Sequence, residues 1–407
     1  MKKQLILQLA RFGDIIQSKR LVLSLLAEGE VHICVDRSLA ELARLVYPYC
    51  GIHALPAHGC DARTVLTEGR TVLEELRNEH FDTVYTLNNA GLCKSVATMF
   101  PHEIVRGYSM YDGQALRCRW MRMAFRWMRH RRCSPLHISD FWASLAPNPC
   151  PPSQVNLDAS PGGKGLGVVL AGQVIRRSAP PEILAQLIRI QVDRLGGTDK
   201  VPVYLFGTSR EHAAARSLKR LLPGAIVEKC QDLTGKTDWA ALKDALTGLD
   251  LLLSPDTGTA HFAAHLGVPV LGLYCSSAWA WETGPYGAGH TVLQVAPACA
   301  PCVESSECEY GASCRNAFSE AALLAYLAGH GRPEKLVSGA VRILSSVFDE
   351  MGQTWKDLFG APGRDAELRG ALRTQLAEYL GIGTSRGTGS AQSLYREEDW
   401  VFPPIMP

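Results

Sequence analysis

A short apolar run ending at Ser254 gives way to Asp256-Thr257-Gly258-Thr259 and then His261. A buried strand that turns there into a helix of small residues presents the unpaired N–H groups of a helix N-terminus, a ready site for phosphate. Gly258 lets the backbone approach closely, and Thr257 and Thr259 add hydroxyl donors. The same residues also read as a helix cap with Asp256 or Thr257 at the N-cap. A second cluster follows: Cys299, Cys302, Cys308 and Cys314 lie within sixteen residues in the pattern C-x2-C-x5-C-x5-C. Four thiolates so spaced can surround one tetrahedral ion, zinc or iron, in a structural role; free thiols or one redox pair are the alternative. The third cluster is basic. Gly113 to Ser139 holds seven arginines and no Asp or Glu, which leaves the rest of the chain net −5 against a total of +2. Arg117, Arg119, Arg122 and Arg126 alternate there with Trp120, Met121, Met123, Phe125 and Trp127. A basic helix of this kind suits an anionic membrane surface or a phosphorylated acceptor; a solvated face packing its apolar side on the domain is the plainer reading.

These residues need a scaffold. The 407 residues, 46% apolar and 20% charged, suit two to three globular domains. The near-balanced charge and the lack of a nucleic-acid-binding module argue against nucleic acid as a partner. Strand-like runs at Lys3–Leu9, Glu30–Val35 and Asp82–Leu87 alternate with helical patterns at Ile15–Ala27, Leu39–Val46 and Arg70–Asn78, and Ile104–Gly107 reads as a further strand. Residues 148–165 are rich in Pro, Gly and Ser and read as a linker. Alternation then restarts, with strands at Leu166–Leu170, Pro202–Phe206, Leu249–Ser254 and Val268–Tyr274. The fold class is therefore α/β, two doubly wound Rossmann-like domains whose ligand site lies at strand carboxyl ends in the cleft between them. The expected divisions are 1–150, a linker at 151–165, 166–330, and a C-terminal extension at 331–407. Helices are expected at Glu334–Phe348 and Asp365–Leu380, and a low-complexity tail follows from Gly381.

The chain opens Met1-Lys2-Lys3, but the run to Ala10 is short and broken by Gln8, unlike a secretory leader. No apolar stretch is long enough to span a bilayer. Thirteen cysteines without a leader read as thiols or metal ligands rather than a disulfide framework. The expectation is a cytoplasmic protein, with peripheral contact to the inner membrane left open.

The order D-T-G-x-x-H (Asp256, Thr257, Gly258, His261), Gly267-Val268-Pro269 and Gly284-Pro285-Tyr286-Gly287 resembles the C-terminal signature of the lipopolysaccharide heptosyltransferases, glycosyltransferase family 9. Other matches keep the family order. Gly13-Asp14 follows the first strand, and Asp232 to Thr237 resembles the family's N-L-x-G-K-T element. Arg177 takes the lysine position of K-x-W-P, with Ala179 in place of the tryptophan, and Gly207, Thr208 and Glu211 sit at a nucleotide-binding loop. The resemblance covers roughly residues 3–345 and is densest over 200–290. It implies a GT-B fold and an ADP-heptose or similar donor. It also implies Asp14 as general base and donor contacts from Arg177, Gly207, Thr208, Glu211, Asp256, Thr257, Gly258, Thr259 and His261. No D-x-D motif is present and none is needed for such chemistry, so no catalytic cofactor is expected. The acceptor implied is lipopolysaccharide core, with Arg117, Arg119, Arg122 and Arg126 as its anionic contacts. Two other readings stay open: a protein hydroxyl as acceptor, since protein-modifying relatives are associated with bound iron, and a catalytically silent, metal-stapled interaction module.

Overall fold

The computed structural model describes residues 1–171, 175–331, 336, 340–360 and 363–382. The first sheet has six strands: β1 (Lys2–Gln8), β2 (Gly29–Asp36), β3 (Gly51–Leu55), β4 (Thr83–Thr86), β5 (Val105–Tyr111) and β6 (Gln114–Arg117). They run in the order β3-β2-β1-β4-β5-β6, parallel except for the β5–β6 hairpin. Both faces of β1 are covered, which is why Leu5, Ile6 and Leu7 form an unbroken apolar run. The second sheet has eight: β7 (Leu166–Val169), β8 (Val203–Phe206), β9 (Cys230–Asp232), β10 (Leu251–Pro255), β11 (Val270–Tyr274), β12 (Thr291–Val295), β13 (Val341–Asp349) and β14 (Gly352–Asp357). Its order is β14-β13-β12-β11-β10-β7-β8-β9. The parallel strands of both sheets follow one scheme, third-second-first-fourth-fifth, so the strand order reverses beside β1 in one lobe and beside β7 and β10 in the other. Those reversal points open crevices at the strand carboxyl ends.

Three expectations are corrected. Glu334–Phe348 does not form one helix, because Val341–Asp349 is a strand, antiparallel to β12 and paired in turn with β14. Val341, Ile343, Leu344 and Ser346 are buried there. Ile15–Ala27 is two helices, α1 (Phe12–Gln17) and α2 (Lys19–Leu26), joined at Ser18. The helix starts early enough that Gly13 and Asp14 lie in its first turn. The strand expected at Ile104–Gly107 begins at Val105, runs on to Tyr111 and folds back on β6. The Arg364–Leu380 helix forms as expected; Tyr379 stacks near Trp120 of the first lobe, and Arg373 pairs with Asp349 of β13 in the second at 2.5 Å. The low-complexity tail expected from Gly381 lies outside the described residues from Gly383 onward.

The lobes share a core. Ile15, Ile16 and Leu21 of the first lobe cluster with Leu252, Phe262, Ala263 and Val268 of the second. At the centre, α1 packs on the Gly258–His265 helix. Phe12 sits between Trp239 (ring centroids 4.8 Å apart) and Phe262 (5.9 Å). A Cβ on Gly258 would lie 2.2 Å from the Phe12 ring, and one on Gly13 would lie 3.4 Å from Gly258 Cα. Gly258→Ala is therefore expected to lower stability by about 1–3 kcal/mol through overpacking, seen as a lower midpoint in thermal melting; an unchanged midpoint would mean the helices are not in tight contact.

Candidate active site

The β10 strand ends at Pro255, and the chain turns into the Gly258–His265 helix with Thr257 as N-cap. The Thr257 hydroxyl accepts from Ala260 N (3.3 Å) and lies 3.1 Å from Ser254 Oγ. The cap reading and the phosphate-elbow reading are thus compatible, since capping occupies one amide and leaves those of Gly258 and Thr259 at the helix mouth. Asp256 is buried just before the cap. It pairs with Arg177, lies 3.4 Å from His261 Nε2 and accepts from Thr283 Oγ1 (3.1 Å) and Tyr274 OH (3.4 Å). Burial pushes its carboxyl up, but the His261 hydrogen bond and the Arg177 charge outweigh that and hold it below the usual range.

Asp14 approaches from the other lobe. Its Oδ2 accepts from Arg11 N at 3.1 Å, so it serves as the cap expected of a first-turn acid. Burial pushes its carboxyl up, against the lowering pull of the Arg11 N–H, and the nearby Asp256 charge adds to the rise. Asp14 and the Asp256 elbow face one cleft of about 510 Å³. Arg11, Phe12, Gly13, Asp14 and Gln17 line it from the first lobe; Arg177, Thr208, Asp256 to Thr259, His261 and Thr283 line it from the second. Arg177 Nε and His261 Nδ1 are buried with no hydrogen-bond partner among the described residues. Two unpaired nitrogens at a cleft wall are what an anionic ligand would satisfy.

The other expected residues fall elsewhere. Gly207 and Glu211 stand behind Thr208 and do not line the cleft: Glu211 accepts from Thr208 N (2.7 Å) and Oγ1 (2.7 Å) in a capping box, and Gly207 leaves room for the Glu211 side chain. Arg117, Arg119, Arg122 and Arg126 are exposed outside the cleft, with Trp120, Met121, Met123 and Ala124 of the Arg119–Trp127 helix buried beneath. Arg117 lies over Phe125 at 5.1 Å. Sequence reasoning did not single out Gln17, whose Nε2 is 3.2 Å from His261 Nε2, or Thr283. Gln17 follows Asp14 by three residues, one helical turn, and Thr283 immediately precedes Gly284.

The metal expectation is corrected. Cys299, Cys302, Cys308 and Cys314 line one cavity of about 340 Å³. Yet among the described residues no three His, Cys, Asp or Glu side chains converge to hold an ion. The sulfurs are engaged separately. Cys302 donates to Cys299 O (3.8 Å), Cys308 Sγ accepts from Ala312 N (3.3 Å), and Cys314 hydrogen-bonds Cys275. The Cys275 thiol, helped by the Ser276 N–H and Arg315, brings Cys314 down to about 6 against the effect of burial. As arranged, these residues do not fit a structural zinc or iron.

Residues 192–312 match the sequence profile of glycosyltransferase family 9 (heptosyltransferase). That match lies within the second lobe, which resembles a family 9 glycosyltransferase domain. A 77-residue stretch is 29% identical to lipooligosaccharide heptosyltransferase 2 of Haemophilus influenzae, over 19% of this chain and 22% of that protein. The fold resembles E. coli ADP-heptose LPS heptosyltransferase II (TM-score 0.54, 19% identity, 80% of this chain and 99% of that one). It also resembles a family 9 glycosyl transferase from Veillonella parvula (0.57, 18%, 80% and 98%) and E. coli heptosyltransferase WaaC with ADP (0.55, 16%, 72% and 93%). The family resemblance and the GT-B expectation are borne out. Among the described residues, no helix is long and apolar enough to cross a membrane.

Thr257→Val keeps the shape but removes the cap acceptor. It is expected to cost about 1 kcal/mol, measured as a lower urea midpoint with unchanged slope.

Proposed function

We propose that this family 9 glycosyltransferase moves a heptose, or a related sugar, from an ADP-heptose-like donor to a hydroxyl of the lipopolysaccharide inner core, with inversion at the anomeric carbon. The observation that carries the reading is the opposition, across one cleft, of a half-buried carboxylate on the first lobe to an arginine and a helix N-terminus on the second. The acceptor oxygen bonds to the anomeric carbon as the bond from that carbon to the diphosphate oxygen breaks. Asp14 takes the hydroxyl proton. Charge growing on the diphosphate meets Arg177 and the amides of Gly258 and Thr259, which are fixed before reaction. His261, held between Asp256 and Gln17, offers its unpaired Nδ1 to the donor. Thr208 lines the same wall, and its capping box with Glu211 beside Gly207 keeps that nucleotide-side loop in place.

The acceptor is anionic, and the exposed Arg117, Arg119, Arg122 and Arg126 give the first lobe a cationic surface for it. The same surface, with its half-buried Phe125 and Trp127, suits an anionic membrane face.

The test is transfer from ADP-heptose to deacylated core acceptor. Asp14→Asn is expected to lower kcat by roughly 10²–10⁴-fold while leaving the ADP dissociation constant within about twofold; full activity in that variant would remove Asp14 as base. Arg177→Ala is expected to weaken ADP binding by about tenfold or more, the loss of a charged hydrogen bond, read by calorimetry.

The base works only when ionised. Because its carboxyl is raised, activity falls as pH drops through a value above the ordinary aspartate range of about 3.9. A pH profile of kcat/KM shows this acid limb in the wild type and not in the residual activity of Asp14→Asn.

A further inference from the structure

The Gly284-Pro285-Tyr286-Gly287 segment carries part of the family likeness, yet it is absent from the cleft wall, which it reaches only through the preceding Thr283. Its polar groups are turned to other partners. His137 Nε2 donates to Gly284 O (2.8 Å), Gln353 Nε2 donates to Pro285 O (2.8 Å), and Gly287 N donates to Gln353 Oε1 (2.7 Å). Asn156 Nδ2 donates to Tyr286 O (2.7 Å), and Tyr286 OH donates to Asp140 Oδ1 (2.5 Å). His137 and Asp140 belong to the first lobe and Asn156 to the linker, so the segment is tied across the lobe boundary.

Asp140 is the knot. It is fully buried, and Oδ1 also accepts from Arg20 Nη1 at 2.6 Å, while Oδ2 accepts from Gln353 N at 2.8 Å. Arg20 itself reaches the second lobe, donating to Met351 O at 3.0 Å. The β13–β14 turn fits against the carboxylate so closely that a Cβ on Gly352 (φ +142°) would lie 2.1 Å from Asp140 Cγ. Arg20 sits on α2, directly after the α1 helix that bears Asp14. On the other side, Thr283 neighbours Gly284 and bonds Asp256, the partner of Arg177.

We infer that the Asp140–Tyr286–Arg20 cluster is an interlobe latch that sets the separation of Asp14 from the Asp256–Arg177 wall, making Tyr286 and Asp140 positioning residues for transfer. The latch grips both walls of the cleft through short covalent paths while touching neither ligand. Loosening it changes the alignment of acceptor and donor but not the surface that binds ADP, because the Arg177 and Gly258 contacts lie within the second lobe. Misplacement of reacting groups by about 1 Å can lower turnover by roughly 10²-fold.

The inference rests on the transfer reaction proposed above, and the experiment separates the two. Tyr286→Phe removes one hydroxyl and keeps the ring. In the full-length protein it is expected to lower kcat about tenfold with donor KM and ADP dissociation constant within about twofold, and to speed hydrogen exchange at the Gly287 and Gln353 amides with the melting midpoint little changed. Asp140→Asn, of the same shape, is expected to lower kcat further; should it fail to fold, Tyr286→Phe decides. Unchanged kcat, or kcat and ADP binding falling together in step with lost folded protein, overturns the latch. If the wild type binds ADP but transfers nothing, the functional reading fails on its own. Exchange at Gly287 and Gln353 then judges the latch, supported if it quickens in Tyr286→Phe and overturned if it does not.

Discussion

The contact between α1 and the Gly258–His265 helix governs the rest of the site. Two helix N-termini, one from each lobe, approach until a Cβ on Gly13 would touch the Cα of Gly258 at 3.4 Å. A Cβ at Gly258 would collide with the Phe12 ring at 2.2 Å, whereas one at Gly13 would crowd the His261 ring at 3.0 Å. Because the approach is so close, Asp14 in the first turn of one helix faces the capped mouth of the other with only a small cleft between. The apolar part of the contact is the Phe12 ring against Trp239 and Phe262, continuous with a core that runs through both lobes. That continuity is what holds a catalytic-scale geometry between groups from separate sheets.

Bringing two carboxylates toward one cleft has an electrostatic cost, visible in the rise that Asp256 imposes on Asp14. The structure divides the burden unequally. Asp256 is surrounded by Arg177, His261, Thr283 and Tyr274 and is held ionised; Asp14, half-buried at the cleft, has one backbone N–H. Unequal environments give two like groups different tasks. The stabilised one organises the cationic wall, and the destabilised one is left with an affinity for protons that suits a base.

Much of this was legible in the chain, for identifiable reasons. Strands buried on both faces, such as β1, β7 and β10, announce themselves as apolar runs bounded by turns, and the elbow after β10 carries its chemistry in consecutive residues. The β13 strand was misread because Val341, Leu344 and Phe348 also satisfy helical spacing; pairing with β12, which is remote in sequence, decides the outcome. Strand β3 was missed because it is half exposed and contains Gly51 and His53 between few apolar residues. Gln17 and Thr283 were missed because each matters only through the opposite lobe or a loop fixed elsewhere. The order of Gly284 to Gly287 was readable as a signature, but its role was not, since none of its partners is a sequence neighbour.

The basic segment shows the limit of reading charge from composition. Its arginines form two populations that no local rule separates. Arg117, Arg119, Arg122 and Arg126 are exposed on the first lobe. Arg131 and Arg132 instead cross to the second: Arg131 grips Glu282 and donates to Cys302 O (2.8 Å), and Arg132 donates to Pro297 O (2.8 Å) and Ala300 O (3.0 Å). From the far side Arg176 donates to the carbonyls of Val303, Glu304 and Ser306. The cysteine loop is therefore held on both flanks by guanidinium–carbonyl bonds. Arg176 adjoins Arg177, so one short segment both clamps that loop and presents a cation to the cleft. The loop's conformation and the Arg177–Asp256 wall of the cleft are thereby mechanically joined, through backbone that neither the cysteine spacing nor the Asp256–Thr259 elbow alone would have connected.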